Sequence, residues 1–484
     1  MSAFLDSDVK WLDHIPSRVE SVFLKHLTHR GRFCEVHVDE ARGKKPVGIW
    51  GWNTWCGIHD MTPLVGAAVH DIMRKTLDEG LSHTEPGTGL LPHCVPIDDD
   101  GRIGYRQGEK RVEYRTYGGV HGEDYCLDNI ICWAKMILEF FLYTRDRKWF
   151  RTEKLKAVER STDFILESLR PAYNPSLIES GIEGDWTENT NWHADNSNNN
   201  VCMVQCLDLL SEVEALLKRK RMRDRYREIV EEIRSQFRRD AREGGFWWDP
   251  KGHFLHGNDG AGRRIYGEAY FESTANYFSI LWKVATPEQS ARIWSYVDEH
   301  PEIEEPYPVL TNYLPRNAAR RMNYGHTVTD GDIWLTLGAH AAVARLRSGY
   351  TRKATRMFKA IVDYELKEGT IHNNIYPDGT SNKDWSPEIG NYGSIFTLLV
   401  EGVLGLSPRA EGLLIAPMRL EGMGALRTVS PLTYAGKRFY LEVSWKGGSR
   451  PEVKVDGRKE SPSAWGYMLP PEFDDGCTVA VCYR

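Results

Sequence analysis

Membrane-spanning segments, a large charge excess and a disorder-prone composition are all missing from this 484-residue sequence. With 41% hydrophobic and 27% charged residues, it has the composition of an ordinary globular protein. A net charge of −6 offers no attraction to phosphate backbones, which argues against a nucleic-acid partner. Residues 1–10 lack a basic region followed by an apolar core, so no secretory signal is predicted and the expected location is cytoplasmic.

Cofactor and metal motifs are missing as well. The glycine-rich residues 118–122 lack the lysine and the flanking strand of a phosphate-binding loop. No His-Glu-x-x-His or paired Cys-x-x-Cys spacing is present, which argues against a zinc site. The Asn- and Asp-rich residues 195–200 carry oxygens suited to calcium, but they fit no standard loop spacing and are better explained as a helix cap. No metal and no cofactor are therefore predicted.

The cysteines do not form a disulfide framework, because their number, nine, is odd and their positions are scattered. Free thiols in apolar surroundings behave as small buried hydrophobic groups. Four cysteines that lie in apolar runs are therefore predicted to be buried free thiols: Cys126, Cys132, Cys202 and Cys206.

Aromatic residues are abundant, with sixteen Trp and twenty-two Tyr. An indole ring stacks well on the C–H face of a sugar while neighbouring polar groups bind the hydroxyls, so Trp residues in loops favour a carbohydrate ligand. The alternative is that Trp fills core volume, which is expected for Trp133, Trp282 and Trp334. Eight Trp residues lie in segments predicted to be loops: Trp50, Trp52, Trp55, Trp186, Trp192, Trp247, Trp248 and Trp385.

The recurring unit of the sequence is a pair of helices. Residues 124–143 and 201–217 are apolar nearly all round, which predicts helices buried on most sides. Each is followed by a more charged segment, residues 148–170 and the one-sided apolar stripe of residues 222–237. The pattern therefore predicts an inner helix followed by an outer one.

Further segments continue this alternation, and pairs of this kind bury their faces when they close into a ring. The fold class predicted is mainly α, an (α/α)6 toroid of about six helical hairpins. The further pairs are residues 268–284 with 287–300 and 332–347 with 352–366, while 64–81 and 394–404 are predicted as inner helices and 17–28 as an outer one.

Two regions depart from the helical period. Residues 244–254 have the pattern of a β-hairpin inserted between helices. After residue 406 the sequence changes to short alternating apolar segments separated by Gly and Pro. We therefore predict a catalytic barrel at residues 1–406 and a small antiparallel β domain at residues 407–484.

A polar loop directly ahead of the buried helix 201–217 is the strongest candidate for chemistry. It contains four carboxylates and a tryptophan, and loops held by rigid helices are where catalytic groups usually lie. The alternative is a helix-capping loop, in which Asn and Asp accept hydrogen bonds from backbone N–H groups. The residues concerned are Glu179, Glu183, Asp185, Trp186 and Glu188.

Short motifs resemble the six-hairpin glycosidase superfamily, whose members include α-L-rhamnosidases, trehalases, mannosylglycerate-type hydrolases and cellobiose-type phosphorylases. The resemblance covers roughly residues 45–460. Its motifs are Gly184-Asp185-Trp186, Asn323-Tyr324-Gly325-His326, Tyr392-Gly393-Ser394 with residues 401–408, and the C-terminal residues 412–417, 434–439 and 455–457.

The resemblance implies that a carboxylic acid in the polar loop protonates the departing glycosidic oxygen. Asp185 matches the phosphorylase-like position, whereas Glu183 lies near the acid of the trehalase-like pattern, and Glu188 is a further competitor. Such an acid must stay protonated near neutral pH, which neighbouring carboxylates promote. We expect Asp185 to be the general acid.

The second carboxylate departs from the pattern, because the position of the base in the rhamnosidase and trehalase branches falls here on residues 372–374, His-Asn-Asn. Glu388, just ahead of an inner helix, is the expected base, with Asp378 and Asp384 as alternatives. Substrate contacts are expected from residues around these loops and around the Trp-rich residues 50–60: Trp52, Trp55, His59, Asp60, Glu123, Trp186, Glu188, His326 and Trp385.

Together the motifs and the resemblance predict an exo-acting, inverting glycoside hydrolase that binds a small glycoside or oligosaccharide. One alternative is an inverting phosphorylase, which the missing base at residues 372–374 favours and the absence of an Arg or Lys cluster near the loop disfavours. The other alternative is a catalytically silent sugar-binding protein. The sugar, the linkage and the oligomeric state are not fixed by the sequence, because one fold hosts many specificities.

Overall fold

A computed structural model describes residues 4–12, 35–39, 43–96, 127–170, 174–180, 194–258, 271–310, 312–313, 333–369, 371–372, 375–376, 379–380, 389–463 and 466–484. Within these ranges no helix is long and apolar enough to cross a membrane. Eleven α-helices precede a strand-rich C-terminal region in the part of the chain so described.

Six inner helices form a closed ring in which each packs against the next and the last packs against the first. Their residues are apolar nearly all round, and every residue of the second, Leu127–Thr144, is buried. A helix with no polar face needs neighbours on all sides, and the ring supplies them. The inner helices are α1 (Gly51–Ile58), α3 (Leu127–Thr144), α5 (Ser197–Leu216), α7 (Ser273–Leu281), α9 (Leu335–Arg347) and α11 (Ile389–Thr397), which continues as a π-helical segment, Leu398–Val403.

The outer helices alternate with the inner ones along the chain and are amphipathic. In Lys220–Phe237, for example, the buried residues are Tyr226, Val230, Ile233 and Phe237, spaced three or four apart, as one helical face requires. The outer helices are α2 (Ala67–Ser82), α4 (Thr152–Ser168), α6 (Lys220–Phe237), α8 (Pro287–Glu299) and α10 (Thr351–Glu368).

The predicted toroid is confirmed, but one helix has the opposite role. The segment 64–81, predicted as an inner helix, is the outer helix α2, whose surface alternates buried and exposed positions. The inner helix of that hairpin is α1, in the Trp-rich segment that was predicted to be a loop. Its eight residues are too few to show a helical period. The predicted outer helix at residues 17–28 lies outside the described residues.

Ring closure depends on backbone contact between α1 and its two neighbours. A Cβ on Gly393 of α11 would overlap the carbonyl oxygen of Cys56, and a Cβ on Gly51 would overlap that of Asn129. Glycine at these two positions therefore lets the helix backbones touch.

The C-terminal region forms a seven-stranded sheet and a three-stranded one. The strands are β1 (Leu5–Ser7), β12 (Leu406–Pro408), β13 (Leu413–Ile415), β14 (Ala425–Thr428), β15 (Leu432–Tyr434), β16 (Lys437–Trp445), β17 (Pro451–Val455), β18 (Arg458–Glu460), β19 (Tyr467–Leu469) and β20 (Cys477–Tyr483). The order of the larger sheet is β1-β14-β16-β20-β17-β18, with β15 on β16, and the smaller is β12-β13-β19. The pairs are antiparallel except β16 with β20, which run parallel.

Strand β1 precedes the barrel in the sequence but joins the seven-stranded sheet by pairing with β14. The sheet itself docks on the C-terminal ends of the inner helices. Ala435 N–H donates to the Tyr143 carbonyl at the end of α3 (2.8 Å), and Arg145 donates to the Tyr434 hydroxyl and to the Arg409 carbonyl. This end of the ring is called the barrel base, and the end at which the inner helices begin is called the barrel mouth.

Short strands surround the mouth. The predicted hairpin at residues 244–254 is confirmed as β7 with β8, and the strands β5, β6 and β9 form a small sheet ahead of α5. The mouth strands are β2 (Glu35–Asp39), β3 (Gly43–Trp50), β4 (Cys94–Pro96), β5 (Glu179–Ser180), β6 (Ala194–Asn196), β7 (Trp247–Trp248), β8 (His253–Phe254), β9 (Gly257–Asn258), β10 (Phe271–Glu272) and β11 (Asn312–Tyr313).

Replacing Gly393 with Ala is expected to lower the free energy of unfolding by about 1–3 kcal/mol, the usual cost of overpacking. The added methyl group must displace α11 from α1 along the seam of the ring. Urea denaturation followed by circular dichroism measures the change. Gly87→Ala is the control, since a Cβ there meets no atom within 4 Å. Equal stability of the two variants would contradict the role given to the backbone contact.

Candidate active site

The polar residues at the mouth act first as anchors for the segments that enter the inner helices. Asn129, in the first turn of α3, accepts a hydrogen bond from Trp52 N–H (2.8 Å). Asn200 of α5 and Asn276 of α7 each bind both the N–H and the C=O of one buried residue, Ile178 and Phe254 respectively. The first turns of these inner helices therefore hold the chain that crosses the mouth.

Most of the predicted site residues lie outside the described residues. Residues 181–193 contain Glu183, Asp185, Trp186 and Glu188, residues 381–388 contain Trp385 and Glu388, and Glu123 and His326 are likewise not described. What the structure places is the chain on either side. β5 and β6 pair antiparallel, Glu179 with Asp195 and Ser180 with Ala194, so both ends of residues 181–193 start from one ladder.

Two inner helices follow the two predicted catalytic segments. β6 leads directly into α5, and α11 begins at Ile389, the residue after Glu388. In ring order α5 is third and α11 is sixth, so the two helices stand on opposite sides of the barrel.

Four of the Trp residues predicted to lie in loops are packed in the core, and Trp50 belongs to strand β3. Trp52 and Trp55 belong to α1 and are only 2% and 0% exposed. Trp52 packs on Phe278, and Trp55 stacks on His59 and His340. Trp247 and Trp248 of the mouth hairpin are also buried. The loop placement predicted for these four residues is wrong, because regular helix and hairpin bury their rings.

His59 and Asp60, also predicted to contact substrate, lie beyond the C-terminal end of α1 and so at the base rather than the mouth. His59 donates its Nδ1–H to the Trp55 carbonyl (2.6 Å), and its Nε2 lies 2.8 Å from Asp60 Oδ2 and 3.6 Å from Glu401 Oε1. Thr397 donates a second hydrogen bond to Asp60 Oδ2 (2.6 Å). The pair is buried, and its partners come from α11 and its π-helical continuation.

Four more charged side chains extend this arrangement across the ring, and none of them was predicted as a site residue. Arg347 of α9 donates to Glu401 Oε2 (3.1 Å), and Trp55 Nε1–H donates to Glu139 Oε2 (2.9 Å). The Lys135 ammonium group lies 3.3 Å from the centre of the Trp55 ring. We call the resulting group the base cluster, and its members are His59, Asp60, Lys135, Glu139, Arg347 and Glu401.

Electrostatics within the base cluster favour ion pairs. Burial alone would lower the pKa of His59, but the neighbouring carboxyl groups of Asp60 and Glu401 raise it well above its ordinary value. Burial likewise opposes ionisation of Glu401, but His59 and Arg347 lower its pKa to about 2. Burial raises the pKa of Glu139 to about 7. Burial also raises the pKa of Asp60, although the charge of His59 and the hydrogen bond from Thr397 act to lower it.

Among the described residues, His59, Asp60 and Glu401 are the one group whose ligand atoms lie close enough together to hold a metal ion, within 4.8 Å of one another. Asp60 Oδ2 faces both His59 and Thr397, and Glu401 faces Arg347, so each carboxyl group already has a protein partner.

Sequence signals for these residues existed but were faint. Lys135 and Glu139 lie four apart in a helix that is otherwise apolar, the spacing of side chains on one helical face. The asparagines of the mouth lie in the first turns of inner helices, where the general preference for capping conceals their specific backbone partners.

No protein-family model and no curated protein sequence matches the chain. Solved structures do match the chain. A GH63 mannosylglycerate hydrolase from Thermus thermophilus, in complex with glucose, matches with a TM-score of 0.57 and 12% identity over 80% of this chain and 99% of that one. An uncharacterized conserved protein from the same organism matches with a TM-score of 0.59 and 12% identity, over 79% and 99%.

A GH78 rhamnosidase from Bacillus sp. GL1 matches with a TM-score of 0.58 and 12% identity over 91% of this chain. The chain has the fold of the six-hairpin glycosidases. It spans 41% of the length of that rhamnosidase, but nearly the whole length of the mannosylglycerate hydrolase. The resemblance suggested by the short motifs is thus confirmed for the fold.

Replacing Glu139 with Gln is expected to reduce the loss of stability between pH 5 and pH 8. Between its ordinary pKa of 4.5 and its folded pKa of about 7, the unfolded chain releases a proton that the folded protein keeps, so rising pH destabilises the fold. The effect amounts to roughly 2–4 kcal/mol. Urea denaturation of the wild type and the variant at both pH values measures it.

The exposed Glu228→Gln serves as a control that should leave the difference between the two pH values unchanged. If Glu139→Gln and the wild type lose the same stability between pH 5 and pH 8, Glu139 does not carry the raised pKa.

Proposed function

We propose that this protein is an exo-acting, inverting glycoside hydrolase whose pocket lies at the barrel mouth. The observation that carries the proposal is the closed ring of six inner helices, whose fold matches that of solved glycoside hydrolases. In addition, acidic segments of the sequence directly precede two inner helices on opposite sides of the ring. Residues in two such segments can approach one sugar from opposite sides.

Asp185 is the proposed general acid and Glu388 the proposed base. In an inverting mechanism the acid protonates the leaving oxygen while the base removes a proton from a water on the opposite face of the sugar. A water must fit between sugar and base, which corresponds to roughly 6–10 Å between the two carboxyl groups. The positions of α5 and α11 across the ring support this pairing.

The proposed substrate is a small glycoside or oligosaccharide held by polar side chains and by Trp186 and Trp385, which follow or precede the catalytic carboxylates in sequence. The neighbours of known structure include proteins with glucose or rhamnose bound, which supports a carbohydrate ligand. Trp52, Trp55, His59 and Asp60 have no part in this proposal, because the first two are packed in the core and the others lie at the base.

Replacing Asp185 with Asn is expected to lower hydrolysis of a disaccharide by roughly 100-fold to 10,000-fold, because it removes the donated proton at nearly constant shape. Activated aryl glycosides need less protonation and should lose less. Steady-state kinetics on both substrates measure the contrast. Glu183→Gln is the matched comparison. If that variant shows the contrast while Asp185→Asn stays active, Glu183 is the acid.

Replacing Glu388 with Gln should reduce hydrolysis on activated and unactivated substrates alike, since water attack is needed for both. Proton NMR of the first product from the wild type should show the anomer opposite to that of the substrate. Retention of configuration, or full hydrolysis by Glu388→Gln, would remove Glu388 from the base role. Cleavage that requires inorganic phosphate would identify a phosphorylase, and binding of sugar without cleavage would identify a silent binding protein.

A further inference from the structure

The buried amide of Asn200 forms an unusual contact with the backbone ahead of the acidic segment. Its Oδ1 accepts a hydrogen bond from Ile178 N–H (2.9 Å), and its Nδ2 donates one to the Ile178 carbonyl (3.0 Å). Both residues are fully or almost fully buried, at 0% and 1% exposure. The side chain thus binds Ile178 as a neighbouring β-strand would, through both backbone groups.

The contact joins the two ends of a short stretch of chain, residues 178–200. Ile178 is followed by β5, residues 181–193 and β6, and β6 leads into α5, which carries Asn200 in its first turn. Within this stretch β5 and β6 also pair with each other, and β9, from later in the chain, pairs with β6. Ser180 and Ala194, which flank residues 181–193, are therefore fixed to the start of an inner helix.

We propose that Asn200 is a positioning residue, whose amide sets the location of the acid-bearing segment relative to the barrel mouth. This inference rests on the proposed function and adds a residue to it. General acid catalysis requires the carboxyl group within hydrogen-bonding reach of the leaving oxygen, and a displacement of about 1 Å is enough to cost on the order of 100-fold in rate.

The neighbouring hairpin repeats the contact without the acid. Asn276 of α7 binds the N–H and C=O of Phe254 (2.8 and 3.0 Å) and also donates to the Glu272 carbonyl (2.7 Å). Phe254 belongs to the hairpin of β7 and β8, to which no catalytic group is assigned. Asn276 therefore provides a matched control that makes the same two-point contact with a buried backbone.

The substitutions Asn200→Ala and Asn276→Ala separate positioning from stability. Each leaves one buried N–H and one buried C=O without the side-chain partner, and both variants should therefore melt at lower temperature than the wild type. Only Asn200→Ala should also lower kcat on a disaccharide, by roughly 10-fold to 100-fold, with KM within about threefold. Activated aryl glycosides should lose less.

Hydrogen–deuterium exchange provides a readout that is independent of catalysis. Peptides covering residues 181–193 should exchange faster in Asn200→Ala than in the wild type and at the wild-type rate in Asn276→Ala. Should Asn200→Ala fail to fold, Asn200→Asp keeps an acceptor for Ile178 N–H but replaces the donated bond by a carboxyl oxygen facing the Ile178 carbonyl. Asn276→Asp is then the control.

Equal losses of kcat in the two variants, in proportion to their melting temperatures, would overturn the positioning role. Full activity of Asn200→Ala despite faster exchange would overturn it too. If the wild type cleaves no glycoside, the proposed function fails, and the exchange data alone decide whether Asn200 fixes this segment. Unchanged exchange at residues 181–193 would then refute that assignment.

Discussion

Mutual burial of six apolar helices is the constraint on which the rest of this structure depends. Most of their described side chains are buried, so each helix depends on two inner neighbours and an outer layer for its stability. The ring has one seam where the beginning of the barrel meets its end, and there the backbones of α1 and α11 touch at Gly393. Mouth and base have fixed geometry because this seam closes.

The base cluster introduces charge into that apolar ring. Ion pairs taken out of water recover their cost of desolvation only with good geometry and additional hydrogen bonds. Here the cluster joins α1, α3, α9 and the end of α11, and the carboxyl groups of Asp60 and Glu401 face the His59 imidazole and the Arg347 guanidinium group. Apolar contacts allow neighbouring helices some translation along their axes, whereas these directional contacts define one axial position for each helix.

The sequence predicted what depends on long periodic patterns. The long inner helices and the amphipathic outer ones were identified from their apolar periods, and the β region from its change of period. α1 was not predicted as a helix because a short segment rich in indole, thiol and amide side chains resembles a loop. A ring of six inner helices nevertheless requires a helix there. His59 was predicted to contact substrate for the same reason. Because the segment is helix α1 and ends at Ile58, His59 follows its C-terminal end and lies at the base.

The site was harder to predict than the fold because its contacts are specific rather than periodic. No pattern in the sequence relates Asn200 to Ile178 or Trp55 to Glu139, which meet only when separate hairpins pack. Motif resemblance identified the segments that lead into α5 and α11. In the predicted order of inner helices these two are the third and the sixth, and the closed ring places them on opposite sides.

The pairing of β1 with β14 has a consequence for how the chain folds during synthesis. Leu5 pairs with Thr428, which lies far later in the sequence, so β1 is made long before its partner strand. At roughly 5–20 residues per second, this delay is on the order of a minute. Throughout that time β1 has no β14 with which to pair. Its three-residue length leaves few backbone groups that wait for that partner.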